Sequence, residues 1–173
     1  MRNAIIMAGG KGTRMKSVQP KVLHKVLDEP MASLVIHSLK EAGAERIVTV
    51  VGYRHEEVEK ALAGQCEFAL QEPQLGTGHA VMQARQLENE TGITVVASGD
   101  CPCVRSETYA MMYDSLQDAD MCVLTAVPDE PQAMAKGQRT FCLHFQYAFP
   151  ACVTRLCRIR DLSVNYKNYI LQS

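Results

Sequence analysis

Short apolar runs alternate with helical patterns along the first 127 residues, and no other feature constrains the fold as strongly. Residues 4–8 (AIIMA), 46–51 (RIVTVV), 66–70, 93–97 (ITVVA) and 121–127 (MCVLTAV) each read as a strand, being short, apolar and bounded by chain-breaking or polar residues. Helical patterns fall between them, at 30–42, 54–63, 79–87 and 106–117. In the first, Met31, Leu34, Val35, Leu39 and Ala42 share a face, Pro30 suits the first position and Gly43 the end. Strands joined through helices must cross over their sheet. The pattern therefore predicts an α/β sandwich with a mainly parallel sheet. Residues 20–26 alternate apolar and polar and are expected to be a short extended piece.

The first strand ends abruptly in Gly9-Gly10-Lys11-Gly12-Thr13-Arg14-Met15, with Pro20-Lys21 close behind. Glycines there leave no Cβ to block a ligand, and successive exposed N–H groups suit phosphate oxygens. Lys11, Arg14 and Lys21 add positive charge, and a guanidinium can grip phosphate through two parallel bonds. The segment is not a P-loop, because Gly12 and not Ser or Thr follows Lys11. It also lacks the third glycine of the dinucleotide fingerprint. Two further loops follow strands, Gln71 to His79 and Ser98-Gly99-Asp100. Open parallel sheets bind ligands at the carboxyl ends of their strands, so the three loops are expected to line one cleft.

The length of 173 residues suits one domain with a real core. A net charge of −1 gives no global field for nucleic acid. No apolar run is long enough to span a bilayer and no signal-peptide pattern opens the chain, so a cytoplasmic protein without membrane contact is expected. Seven cysteines, odd in number and without a C-x-x-C pair, point to incidental or buried thiols, Cys101-x-Cys103 included. Asp100 suits Mg²⁺, which needs only one or two protein oxygens when phosphates supply the others; read alone, it suits a turn or helix cap better, and the phosphate loop in the same expected cleft favours the metal. His79 reads as a packing or capping residue, and no Ser–His–Asp or Cys–His order supports a protein nucleophile.

Three motifs together carry a resemblance. Ala8 to Met15 with Pro20-Lys21-Val22-Leu23 resembles the signature of sugar-1-phosphate nucleotidyltransferases. Gln71, the run Gln74-Leu75-Gly76-Thr77-Gly78-His79-Ala80, and Gly99-Asp100-x-Pro102 narrow it. Residues 3 to about 132 resemble the uridyltransferase domain of the bacterial bifunctional N-acetylglucosamine-1-phosphate uridyltransferases, within the MobA-like NTP transferase superfamily.

The resemblance implies a Rossmann-like three-layer sandwich and transfer of UMP from UTP to N-acetylglucosamine 1-phosphate, giving UDP-N-acetylglucosamine for the cell wall. It implies that Met7, Ala8, Gly9 and Gly10 contact the nucleotide, with Arg14 and Lys21 on the phosphates as catalytic residues. Gln71, Gly76 and Thr77 would read the uracil, Ser98 and Gly99 would line the substrate site, and Asp100 would hold Mg²⁺. Cys101 and Cys103 replace the more usual Thr and aliphatic residue. The alternatives are a non-catalytic nucleotide-binding module, or a transferase of the same superfamily with another base or sugar.

Composition breaks at about residue 133. Residues 133–173 hold six Lys or Arg against the single carboxylate Asp161, a net of +5, which leaves −6 for residues 1–132. Six of the ten aromatics and three of the seven cysteines lie there. The expected division is a nucleotidyltransferase domain over 1–132 and a basic tail over 133–173, read in a shifted frame from a truncated gene. Neither the sugar-holding residues, nor a second metal ligand, nor the trimerising acetyltransferase domain that the resemblance implies has a counterpart in the tail. Impaired catalysis is therefore expected, and the oligomeric state is left open.

Overall fold

The computed structural model describes residues 1–12, 15–117 and 121–127, with 141–143 and 159–165 as strand backbone. Nine strands and four helices are described: β1 Arg2–Met7, β2 Lys25–Val26, β3 Glu29–Pro30, α1 Met31–Glu41, β4 Arg46–Val51, α2 His55–Ala61, β5 Glu67–Leu70, α3 Thr77–Gln83, β6 Ile93–Ser98, α4 Ser106–Asp114, β7 Met121–Val127, β8 Phe141–Leu143 and β9 Ile159–Asn165. Four strands form a parallel sheet in the order β5-β4-β1-β6. The chain builds outward from β1 through β4 to β5, then returns across the sheet to lay β6 on the other side of β1. The switch point therefore falls between β1 and β6, and all four carboxyl ends lie along one edge. The fold is α/β and Rossmann-like, as the alternation predicts.

Central position explains the apolar runs. Residues 3–6 of β1 and 47–51 of β4 are buried whether they point up or down, because helices cover the sheet. Ile5, Ile6, Val48, Val50 and Val51 have no measurable exposure and meet Ile36 and Leu39 of α1, Val58 of α2, and Tyr109 and Tyr113 of α4 in one core. Edge strand β5 buries only Ala69 fully. No helix among the described residues is long and apolar enough to cross a membrane.

Two local details differ from the sequence pattern. Residues 20–26 are not one extended piece: Lys21–Leu23 forms a 3-10 turn, and Lys25-Val26 pairs with Glu29-Pro30 as a small antiparallel hairpin. Its corner is Leu27-Asp28, both with positive φ (51° and 66°), as a tight type I′ corner requires. Leucine at that angle hides the turn from sequence inspection, since Asn-Gly is the usual signal. Leu27 is 92% exposed and packs on nothing, so Leu27→Asn is expected to raise stability by about 0.5–1 kcal/mol, read from the denaturation midpoint.

The other difference is β7. It pairs with β8 antiparallel and β9 parallel in a separate three-stranded sheet, and not with the four-stranded one. The end of α1, by contrast, follows the pattern. Gly43, at φ +87°, lets Ala44 N–H reach Leu39 O at 3.0 Å and Gly43 N–H reach Lys40 O at 2.9 Å. Gly43→Ala is expected to cost about 1 kcal/mol, because a Cβ is strained at this angle and would also sit 3.2 Å from Arg2 Nη1; a urea titration measures it.

Candidate functional site

The loops after β1, β5 and β6 meet at the carboxyl edge of the sheet. They enclose a cleft of about 540 Å³ lined by Met7, Ala8, Gly9, Gly10, Gly12, Lys21, Val22, Gln71, Gln74, Gly76, Thr77, Ala80, Ser98 and Asp100. The glycine-rich loop and the Asp100 carboxylate thus share one cavity. Among the described residues no backbone carbonyl accepts from the N–H of Gly9, Gly10, Lys11 or Gly12. These donors are therefore available to an anion. A Cβ on Gly10 would meet nothing within 4 Å, whereas one on Gly12 (φ +61°) would press on Lys21 Cβ at 2.9 Å.

Asp100 follows β6 directly. Lys21 Nζ donates to its Oδ2 and Ser98 Oγ to its Oδ1, so both carboxylate oxygens have partners. Burial alone would raise the Asp100 pKa. The bonds from Lys21 and Ser98, with the lysine charge, outweigh burial and hold the carboxyl below its ordinary value. Next door, burial and then the Asp100 charge push the Cys101 thiol up to about 11. Cys101 therefore stays protonated near neutral pH and is a poor nucleophile.

The β5–α3 loop supplies the opposite wall. Gln71 is buried and gives its amide nitrogen to Gly76 O at 2.9 Å. Gln74 Nε2 crosses to Gly9 O at 2.7 Å, tying this loop to the glycine-rich one. Gly9 O also accepts from Tyr53 N–H at 3.1 Å, so the turn is anchored from the loop after β4 as well.

Of the residues expected at the site, Met7, Ala8, Gly9, Gly10, Lys21, Gln71, Gly76, Thr77, Ser98 and Asp100 line this cleft. Gly99 does not. Its N–H bonds Met7 O at 3.0 Å, and a Cβ there would crowd Val22, Met7 and Ile6, so it braces the strand ends behind the cleft. Lys11 lies with its ammonium 5.5 Å over the Tyr53 ring, a cation–π contact that draws it off the cleft lining. Arg14 lies outside the described residues. The sequence singled out Gln74 as part of the loop motif but not its tie to Gly9, and it gave no signal for Gly52, because both contacts link positions far apart in the chain.

A parallel sheet with a glycine-rich loop beside its switch point and a cleft along its carboxyl edge defines a Rossmann-like ligand-binding domain. The chain belongs to the MobA-like NTP transferase domain family, which it matches over residues 4–159. Relatives named "Bifunctional protein GlmU" include one from Geobacillus thermodenitrificans, 47% identical over 133 residues (75% of this chain, 29% of the relative). Another, from Streptococcus gordonii, is 49% identical over 131 residues (74% and 28%). The chain thus spans less than a third of the length of these relatives. Among solved structures, a nucleotidyl transferase from Methanothermobacter thermautotroptrophicus superposes with a TM-score of 0.59 at 21% identity, covering 73% of this chain and 62% of that one. Rv0371c from Mycobacterium tuberculosis gives 0.67 at 15% identity, covering 95% and 88%. Both share the fold.

Proposed function

We propose that the cleft binds UTP with Mg²⁺ and that the chain is built for uridylyl transfer to N-acetylglucosamine 1-phosphate. The observation that carries this is the single cleft shared by free loop amides, the Gln71–Thr77 wall and Asp100. Family membership supports nucleotidyl transfer as the chemistry, and the GlmU relatives support the sugar nucleotide.

The reaction needs no protein nucleophile. An oxygen of the sugar phosphate bonds to the α-phosphorus of UTP, the bond from that phosphorus to the bridging oxygen breaks, and pyrophosphate departs with the electron pair. The protein must hold the reactants in line and offset charge. The amides of residues 9–12 hold phosphate oxygens, Lys21 and Arg14 add cations, and Gln71, Gly76 and Thr77 hold the base. The donor set also fits the metal. Among the described residues no three His, Cys, Asp or Glu side chains cluster, but Mg²⁺ on a nucleotide needs only one or two protein oxygens, and Asp100 offers a carboxylate on the cleft wall. When bound, Mg²⁺ neutralises charge on the phosphates.

Asp100 is also the one carboxylate among the described residues that line the cleft, and this favours a second reading: nucleotide binding with little or no transfer. Pyrophosphate release from UTP and N-acetylglucosamine 1-phosphate decides between the two. Sustained release supports the transferase. Binding of UTP without release leaves the binding module, and no binding of UTP refutes both. The composition break leads us to propose further that residues 133–173 are read out of frame. Sequencing the genomic locus tests this, and a downstream region with no alternative frame encoding family residues refutes it.

A further inference from the structure

Gln71, on the cleft wall, is linked to two polar side chains that the proposed chemistry leaves unused, His79 and Gln83. Gln71 is 6% exposed, and its Nε2 lies 2.9 Å from Gly76 O and 3.2 Å from His79 Nδ1. A carbonyl oxygen only accepts, so the amide must turn its nitrogen, and not its oxygen, to Gly76. Nitrogen then offers its second hydrogen to His79 Nδ1, which must be the unprotonated ring nitrogen. The imidazole proton accordingly sits on Nε2. The Gln83 amide nitrogen lies 3.0 Å from that ring nitrogen and donates to His79 O at 3.2 Å, so accepting from Nε2–H requires the half-buried amide to turn its oxygen inward and release the carbonyl.

With both hydrogens of Gln71 engaged, its Oε1 is left over. It sits against Gly9, where an added Cβ would come within 3.1 Å. No donor among the described residues reaches it, and it is not among the sealed polar atoms. The cleft is therefore offered an acceptor of fixed direction, held by two anchors, the Gly76 carbonyl and the His79 ring.

We infer that His79 is a positioning residue that locks the Gln71 amide with its oxygen toward the cleft, so that the base accepted there must present an N–H donor. The imide edge of uracil does so, whereas the corresponding ring nitrogen of cytosine is an acceptor and would face Oε1 lone pair to lone pair. This rests on reading the cleft as a nucleotide site. Removing His79 leaves the amide pivoting on one bond, and selectivity, not phosphate affinity, should suffer.

The test measures equilibrium binding of UTP, CTP and inorganic tripolyphosphate, each with Mg²⁺, to the full chain. The native protein should prefer UTP over CTP by about 10-fold or more. His79→Phe should lose most of that preference with tripolyphosphate affinity unchanged, and His79→Asn, whose amide oxygen replaces Nδ1 as acceptor, should retain it. If the phenyl ring prevents folding, His79→Ala is read in the same way. A native preference that survives loss of the imidazole overturns the inference and leaves the nucleotide reading standing; so does a loss of tripolyphosphate binding in step with UTP. A native chain that binds tripolyphosphate yet treats UTP and CTP alike overturns both the inference and the uridine assignment. Failure to bind any of the three removes the nucleotide reading itself.

Discussion

Lys21→Met weakens binding of UTP with Mg²⁺ by about 10–100-fold, the equivalent of losing one charge-assisted phosphate contact of roughly 1.5–3 kcal/mol. The same change strengthens divalent-cation binding in the absence of nucleotide. Both expectations come from one contact. Lys21 Nζ sits on Asp100 Oδ2 while Ser98 holds Oδ1, so the carboxylate already has a cation beside it. Methionine keeps the stem of the side chain, which packs beside Gly12, and removes only the charge. Calorimetry with UTP and Mg²⁺ reads the first effect. Electron paramagnetic resonance of Mn²⁺ titrated into nucleotide-free protein reads the second. Unchanged Mn²⁺ binding beside weakened UTP binding would show that Lys21 serves phosphate alone. If both are unchanged, the cleft is not the phosphate site.

Much of the site's location was legible before the fold was known, and for a physical reason. Parallel strands buried on both faces must be continuous apolar runs, so β1, β4 and β6 stand out by composition, and topology then carries their following loops to one edge. What was not legible depends on contacts between distant positions. Nothing local to Lys11 says that its ammonium will lie over Tyr53, or that Gly99 will turn its N–H back to Met7. Leu27 and Asp28 form a tight corner without the residues that announce one, because the pairing of Lys25-Val26 with Glu29-Pro30 imposes it. β7 was recognisable as a strand, but its partners are set by pairing with β8 and β9 that no periodicity encodes.

Gly52 exposes the same limit, and it yields the second large effect. It looks like a strand terminator after β4, yet it stands where two loops come together. A Cβ there would collide with the Gln74 amide nitrogen and come within 3.1 Å of Gly9 O, the two ends of the bond that ties the β5–α3 loop to the glycine-rich turn. Gly52→Ala is therefore expected to break that tie, lowering stability by about 1–3 kcal/mol and nucleotide affinity by on the order of 10-fold or more, since the donors lose their common geometry. Steric cause is separable from general damage by removing the obstacle. Gln74→Ala alone should cost less, because it deletes one hydrogen bond without moving the backbone. Combined with Gly52→Ala, it should recover part of the loss, giving a double-mutant coupling of about 0.5–3 kcal/mol. Gly10→Ala is the contrast: nothing lies within 4 Å of its added methyl, so folding should be unaffected. Additive losses in the Gly52/Gln74 pair, measured by denaturation and by UTP titration, would show that the two loops are not held together by this contact.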